Sequence, residues 1–174
     1  MTMQQLTDRY LDGVFRFILS LVRDAEAAAD LTQDAFLKLQ RAGGHPSEAY
    51  VMATARNTVL SWLRRRALER RHVDVWAPED LEGGRLEEGI LRPGSLGGTP
   101  DRVLRQRELG AALAAALDAL PRDLREVFHL SEMEGLRYEQ IAEVVGCPVG
   151  TVASRKHLAV RKLREHLERS GHAL

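Results

Sequence analysis

The stretch IAEVVGCPVGTVASRKHLAV, residues 141–160, reads as a short apolar helix, an abrupt Gly-Cys-Pro break and a second helix carrying Arg155, Lys156 and His157. In a helix-turn-helix the first helix braces the second, and the reversal needs a residue without a β-carbon. Ala142, Gly146 and Val152 stand at the small, turn and core spacing of such a unit. Pro148 fits the first turn of the second helix, where its missing N–H costs nothing. Val149, Val152, Ala159 and Leu163 make an inner stripe, leaving Thr151, Ser154, Arg155, Leu158 and Arg161 outward. Such a helix fits the major groove of DNA, its first turns facing base edges and its cations bonding phosphates. The pattern also fits, less well, an ordinary helical hairpin with a solvated basic face, and the flanking sequence shifts the balance.

Working outward, the 174 residues hold twenty-five basic and twenty-five acidic side chains, and zero net charge gives no reason to expect a nucleic-acid partner. Their distribution says more. Residues 53–72 carry six Arg against Glu69, and residues 151–169 carry six cations against Glu165 and Glu168. Between them, residues 75–101 hold six acids with only Arg85 and Arg92, a basic-acidic-basic layout. The lone Cys147 cannot form an intramolecular disulfide, no charged-then-apolar leader opens the chain, and no apolar run reaches the ~18 residues of a membrane span. A reducing cytoplasm is the expected location, with no membrane insertion.

Helical periodicity dominates. Leu6, Tyr10, Val14, Phe17, Ile18 and Leu21 recur at three- and four-residue steps. Asp24 then caps a second helix whose inner stripe, Ala27, Ala28, Leu31, Ala35 and Leu39, runs to Gly43-Gly44. A third begins near Ser47-Glu48 and carries Val51, Ala55, Val59 and Leu63 into the Arg run. Residues 77–100 gather six of the fourteen Gly and three of the six Pro without sustained period, the mark of a linker. Extended, residues 75–101 span roughly 90 Å at ~3.3 Å each, so the flanking modules need not touch. Helical pattern resumes behind Thr99-Pro100-Asp101, and Pro121 restarts a helix with Leu124, Val127 and Phe128 inward. The expected fold is all-α: two small helical domains, 1–74 and 102–174, joined by a flexible acidic linker, 75–101.

Residues 116–167, with LP, then R and F, then EGLRYEQIAEVVGCPVGTVASR without a gap, closely resemble DNA-binding region four of bacterial sigma factors of the extracytoplasmic-function group. Upstream, DLTQDAFLKL (30–39) resembles the polymerase-binding helix of region two, and ATARNTVLSWLRRR (53–66) its promoter-melting segment. Three ordered motifs covering all but the linker are far more specific than one helix-turn-helix. The resemblance implies that Asp30, Gln33, Asp34 and Phe36 dock on the clamp coiled coil of core RNA polymerase, carboxylates orienting and apolar anchors supplying area. It assigns the minus-ten element to Tyr50, Arg56, Asn57, Arg64, Arg65 and Arg66, with Asn57 helping to line a pocket for a flipped base and the Arg side chains, with Arg70 and Arg71, holding phosphates. Thr151, Ser154, Arg155, Lys156, His157, Leu158 and Arg161 fall to the minus-thirty-five element. The acidic linker would thread polymerase toward the RNA exit path, or serve solubility alone.

Two departures bear on these assignments. Tyr50-Val51 stand where many relatives have Trp-Leu, and Ala153 replaces a common Lys or Arg while Lys156 and Leu158 stand where relatives often have Leu and Arg. The minus-thirty-five preference is therefore not inherited. The six His are scattered without metal-ligand spacing, and no Gly-rich phosphate loop precedes a strand, so neither catalysis nor a cofactor is expected. An anti-sigma partner is implied by the group. The rival readings are a regulator whose helix-turn-helix alone touches DNA behind a sensor or dimerisation domain, and a helical adaptor that never binds DNA.

Overall fold

The computed structural model describes residues 2–73 and 100–171, with the side chains of Met3, 70–73 and 100–106 left aside. The linker reading, the Thr99 cap and the phosphate roles of Arg70 and Arg71 lie outside the described residues. Seven helices and no strand are found among those described: α1 Met3–Val22, α2 Ala25–Ala42, α3 Glu48–Val73, α4 Pro100–Ala119, α5 Arg122–Glu132, α6 Tyr138–Val145 and α7 Val149–Arg169.

Local chemistry accounts for the helix ends. The Thr2 hydroxyl accepts from the Gln5 amide while the Gln5 side chain accepts from the Thr2 amide, closing a capping box on α1. Asp24 caps α2 as its sequence predicts, accepting from the Ala27 amide at 3.0 Å, and Gly43 ends that helix at φ 67°. The Ser47 hydroxyl accepts from the Tyr50 amide at the start of α3. Between α6 and α7 the chain reverses on Gly146, at φ 70° and ψ 42°, whose amide donates to the Ala142 carbonyl. Pro148 is the cap before α7 rather than a residue of its first turn, its carbonyl receiving the Thr151 and Val152 amides.

A side chain at Gly146 would meet open space, but its left-handed backbone penalises any β-carbon. Gly146→Ala should therefore lower stability by about 1 kcal/mol, read from chemical denaturation, with the helix-turn-helix still formed.

The periodic stripes become the core. Leu6, Tyr10, Val14, Phe17, Ile18 and Leu21 of α1 are buried, as are Ala28, Leu31, Ala35 and Leu39 of α2 and Val51, Ala55 and Val59 of α3. The same apolar cluster continues through Val127 and Leu130 of α5, Ile141, Val144 and Val145 of α6, and Val152 of α7. A second cluster joins Ala116, Leu120, Leu124, Ala159, Leu163 and Leu167 of α4, α5 and α7. Thus α5 has an apolar surface on each side, one toward α1–α3 and one toward α4 and α7. Modules that a long linker would leave free to separate share a seam here. Val149, expected inside α7, is instead exposed at that helix's first position, ahead of the buried Val152.

Candidate nucleic-acid interface

α3 is 26 residues long, about 39 Å at 1.5 Å per residue. Tyr50, Asn57 and Arg64 are exposed and seven residues apart, so they form one solvent stripe two turns per step. Thr54 and Ser61 fill the intervening turns, their hydroxyls donating back to the carbonyls of Tyr50 and Asn57 at 2.9 Å. The stripe places a large aromatic face, a free amide and a cation along one helix edge. Arg65 and Arg66 are exposed beside it, and the Arg66 guanidinium stands 4.8 Å over the Trp62 ring, a cation–π contact that orients it. Trp62 was not among the residues expected to act. Its half-buried ring, one turn before an Arg, was the available signal.

Arg56 departs from this face. Its Nε makes an ion pair with the carboxylate of Glu126 on α5, which is only 2% exposed. One residue along a helix is a 100° turn, so Asn57 faces water while Arg56 faces the other module. As the chain is packed here, Arg56 is not available to a phosphate.

On α7 the expected face also divides. Ser154, His157 and Arg161 are exposed, although the Ser154 hydroxyl donates back to the Gly150 carbonyl and Arg161 lies 3.8 Å from Glu165 one turn on. Thr151 and Arg155 are half-buried; the Arg155 Nε is 3.5 Å from an Asp123 carboxylate oxygen, and its Nη1 is 3.9 Å from the Cys147 sulfur. Lys156 and Leu158, expected on this face, are both half-buried and make contacts behind it. Lys156 sits on the buried stripe Val152–Lys156–Ala159–Leu163, with its ammonium donating to the Ser131 hydroxyl at 2.8 Å and to the Glu132 carboxylate. That hydrogen bond is the main reason the Glu132 carboxyl is held below its usual range. Leu158 packs against the second core cluster. Both anchor α7 to the helices behind it. Outward cations that spacing did not single out include Lys162 and Arg164, both exposed.

The acidic face of α2 is open: Asp30, Gln33 and Asp34 are all exposed. Phe36, expected among them, is a core residue at 5% exposure, whereas its neighbour Leu37 is 47% exposed and supplies the apolar surface beside the carboxylates. Behind this face the Lys38 ammonium donates to the Thr58 hydroxyl at 2.9 Å, tying α2 to α3. Among the described residues no three His, Cys, Asp or Glu stand together as a metal site, and no helix is long and apolar enough to cross a membrane.

Comparison with known proteins places these surfaces in context. Residues 6–69 match the family Sigma-70 region 2, and residues 110–163 match Sigma-70, region 4. The chain is 32% identical over 167 residues to the ECF RNA polymerase sigma factor SigE of Mycolicibacterium smegmatis, covering 94% of this chain and 60% of that protein. It is 34% identical over 154 residues to the RNA polymerase sigma-H factor of Pseudomonas aeruginosa, covering 84% and 76%. Against the ECF RNA polymerase sigma-E factor of Escherichia coli it is 34% identical over 133 residues, covering 72% and 66%. The fold superposes with a TM-score of 0.70, at 26% identity and over 95% of this chain and 96% of the other, on the sigma factor RpoE of Bartonella quintana in complex with the anti-sigma factor NepR.

Proposed function

Because the chain belongs to the extracytoplasmic-function group of the sigma-70 family, we propose that it is an alternative sigma subunit, which binds core RNA polymerase, directs it to particular promoters and starts transcription there. The observation that carries this reading is the presence on one chain, in order, of the two sigma regions, with an open acidic face on α2 and an exposed Tyr50–Asn57–Arg64 stripe on α3. Bond formation belongs to the polymerase; this chain supplies recognition and strand opening. α2 docks on polymerase through Asp30, Gln33, Asp34 and Leu37, where carboxylates and an amide set orientation and the leucine adds apolar area. The α3 stripe reads the minus-ten element, Tyr50 stacking and Asn57 pairing with an unstacked base, while Arg64, Arg65 and Arg66 hold phosphates. The outward face of α7, through Thr151, Ser154, Arg155, His157 and Arg161, enters the major groove at the minus-thirty-five element. An anti-sigma factor is the expected negative partner, and the cytoplasm the place of action.

The test is reconstitution with core polymerase and transcription from the chain's own upstream promoter. Promoter-dependent transcripts that vanish when this chain is omitted are the expected result. Binding of duplex DNA by the chain alone, with no polymerase-dependent transcript, would favour a free-standing helix-turn-helix regulator instead.

Within that reading, changing Gln33 and Asp34 together to Ala should weaken core-polymerase binding by about 1–2 kcal/mol, roughly five- to thirtyfold, as measured by titration. Both side chains are exposed and away from the core, so the thermal midpoint should be unchanged. Undiminished binding would remove this face from the interface.

A further inference from the structure

The Arg155 guanidinium is gripped on two sides. Its Nε lies 3.5 Å from a carboxylate oxygen of Asp123, in the first turn of α5, and its Nη1 donates to the Cys147 sulfur at 3.9 Å, in the turn before α7. All three residues belong to the C-terminal helices. Because α5 and α7 share the apolar cluster of Leu124, Ala159 and Leu163, the arrangement travels with α7. A guanidinium is a planar fork of N–H donors. With the Nε donor turned to the carboxylate and one Nη1 donor to the sulfur, the remaining donors on Nη1 and Nη2 form a two-pronged end. That shape matches the O6 and N7 acceptors a guanine presents in the major groove. Among the described residues, buried side-chain nitrogens without a partner occur at Arg23 and Arg125, and none at Arg155. The free prongs are therefore open to solvent, beside a cavity of about 390 Å³ that Asp123, Cys147 and Arg155 help to line.

We propose that Asp123 is a positioning residue for base recognition, which holds Arg155 with its terminal fork set for a guanine of the minus-thirty-five element and keeps that cation from the nearest phosphate. The proposal rests on the sigma-factor reading and deepens it, naming the base and the residue that aims its reader. An arginine free to swing finds phosphates within reach, and phosphate contacts carry no sequence information. Holding Nε beforehand removes most of those side-chain conformations, so the base contact forms with less ordering cost.

Stability does not account for the carboxylate. The Asp123 side chain is 52% exposed, and an ion pair so open to water adds little. Its place in the first turn of α5 complements that helix's dipole, a small gain at an exposed position. Against this, an acid beside a DNA-reading helix repels phosphate and weakens binding to every sequence. What it contributes is the direction in which its neighbour points.

The test uses holoenzymes assembled from core polymerase and the full-length chain: wild type, Asp123→Ala, Asp123→Glu, Arg155→Ala, and Asp123→Ala combined with Arg155→Ala. Each is titrated with the chain's own upstream promoter and with versions in which every base pair of the minus-thirty-five element is replaced in turn. Wild type should lose roughly tenfold in affinity when one particular G·C pair is replaced. Asp123→Ala should shrink that penalty to about threefold and leave the penalties at other positions alone. It should also bind a scrambled element about twofold more tightly, with a salt dependence steeper by about one counterion, as the released cation turns to phosphate. Asp123→Glu, which keeps the charge, should retain most of the discrimination. Arg155→Ala should abolish the penalty at the same pair, and adding Asp123→Ala should change discrimination no further, as expected of a residue that acts through another. Should Asp123→Ala lower the thermal midpoint, Asp123→Asn, of the same shape, carries the test. Undiminished discrimination in Asp123→Ala, an equal loss on every element, or a further loss of discrimination in the Arg155→Ala background would each overturn the positioning role, and a penalty confined to A·T pairs would overturn the guanine assignment. A wild-type holoenzyme indifferent to the whole element would instead overturn the assignment of α7 to minus-thirty-five DNA, and this proposal with it.

Discussion

Phe36→Ala lowers the free energy of unfolding by about 3–5 kcal/mol, the range for deleting a fully packed aromatic side chain from a core. Phe36 is 5% exposed and belongs to the cluster that includes Leu31 and Leu39 of its own helix and Val51 and Val59 of α3. Truncation leaves a cavity that helices tied by caps and by the Lys38–Thr58 hydrogen bond can only partly close. Denaturant melts followed by circular dichroism measure the loss. The contrasting variant is Leu37→Ala, one residue on: at 47% exposure it should leave the melt within about 0.5 kcal/mol of wild type and reduce core-polymerase binding instead. A Phe36→Ala protein as stable as wild type but deficient in polymerase binding would return Phe36 to the interface and contradict its burial.

Phe36 also marks a boundary of what periodicity can say. α2 carries apolar side chains at 31, 35, 36, 37 and 39, and a stripe of that width leaves open which edge is covered. The covering helices decide it, and they lie elsewhere in the chain. Where the stripe is narrow, as on α1, spacing was sufficient, and where chemistry is local, as at the Asp24 cap and the Gly146 reversal, the residue type carried the conformation. Lys156 shows a different limit. Its spacing from Val152, Ala159 and Leu163 is that of a core residue, but its charge argued for the surface. A long aliphatic stem satisfies both demands, burying carbon while the ammonium reaches Ser131 and Glu132. The departure from relatives that often carry Leu at this position was the hint. The Arg56–Glu126 pair was legible from neither signal, since seventy residues separate its members and only the tertiary fold brings them together.

Asn57→Ala should leave folding and polymerase docking intact and reduce opening of a duplex promoter roughly a hundredfold. The side chain is exposed in the middle of α3, and Ala is the better helix former, so the melt should hold or rise by a few tenths of a kcal/mol. Asp30, Gln33 and Asp34 lie on another helix, so the holoenzyme should assemble, and α7 should still deliver it to the minus-thirty-five element. On the proposed reading, the amide would supply a hydrogen-bonded destination for a base that has left the stack. Unstacking costs a few kcal/mol, and losing about 2–3 kcal/mol of compensating contact corresponds to the hundredfold effect at 1.4 kcal/mol per factor of ten. A promoter carrying a short mismatched bubble at the minus-ten element has already met that cost, so it should recover most of the lost transcription. Permanganate footprinting should find unreactive thymines on the duplex template with the variant and reactive ones with wild type. Tyr50 and Arg64, on the same stripe, should behave differently from Asn57: loss of the ring weakens stacking on any base, and loss of the cation weakens binding to every sequence alike with a shallower salt dependence. If the Asn57→Ala holoenzyme melts duplex DNA as well as wild type and with the same base preference, the base-reading pocket lies off this stripe, and the exposed amide is only a solvated helix residue.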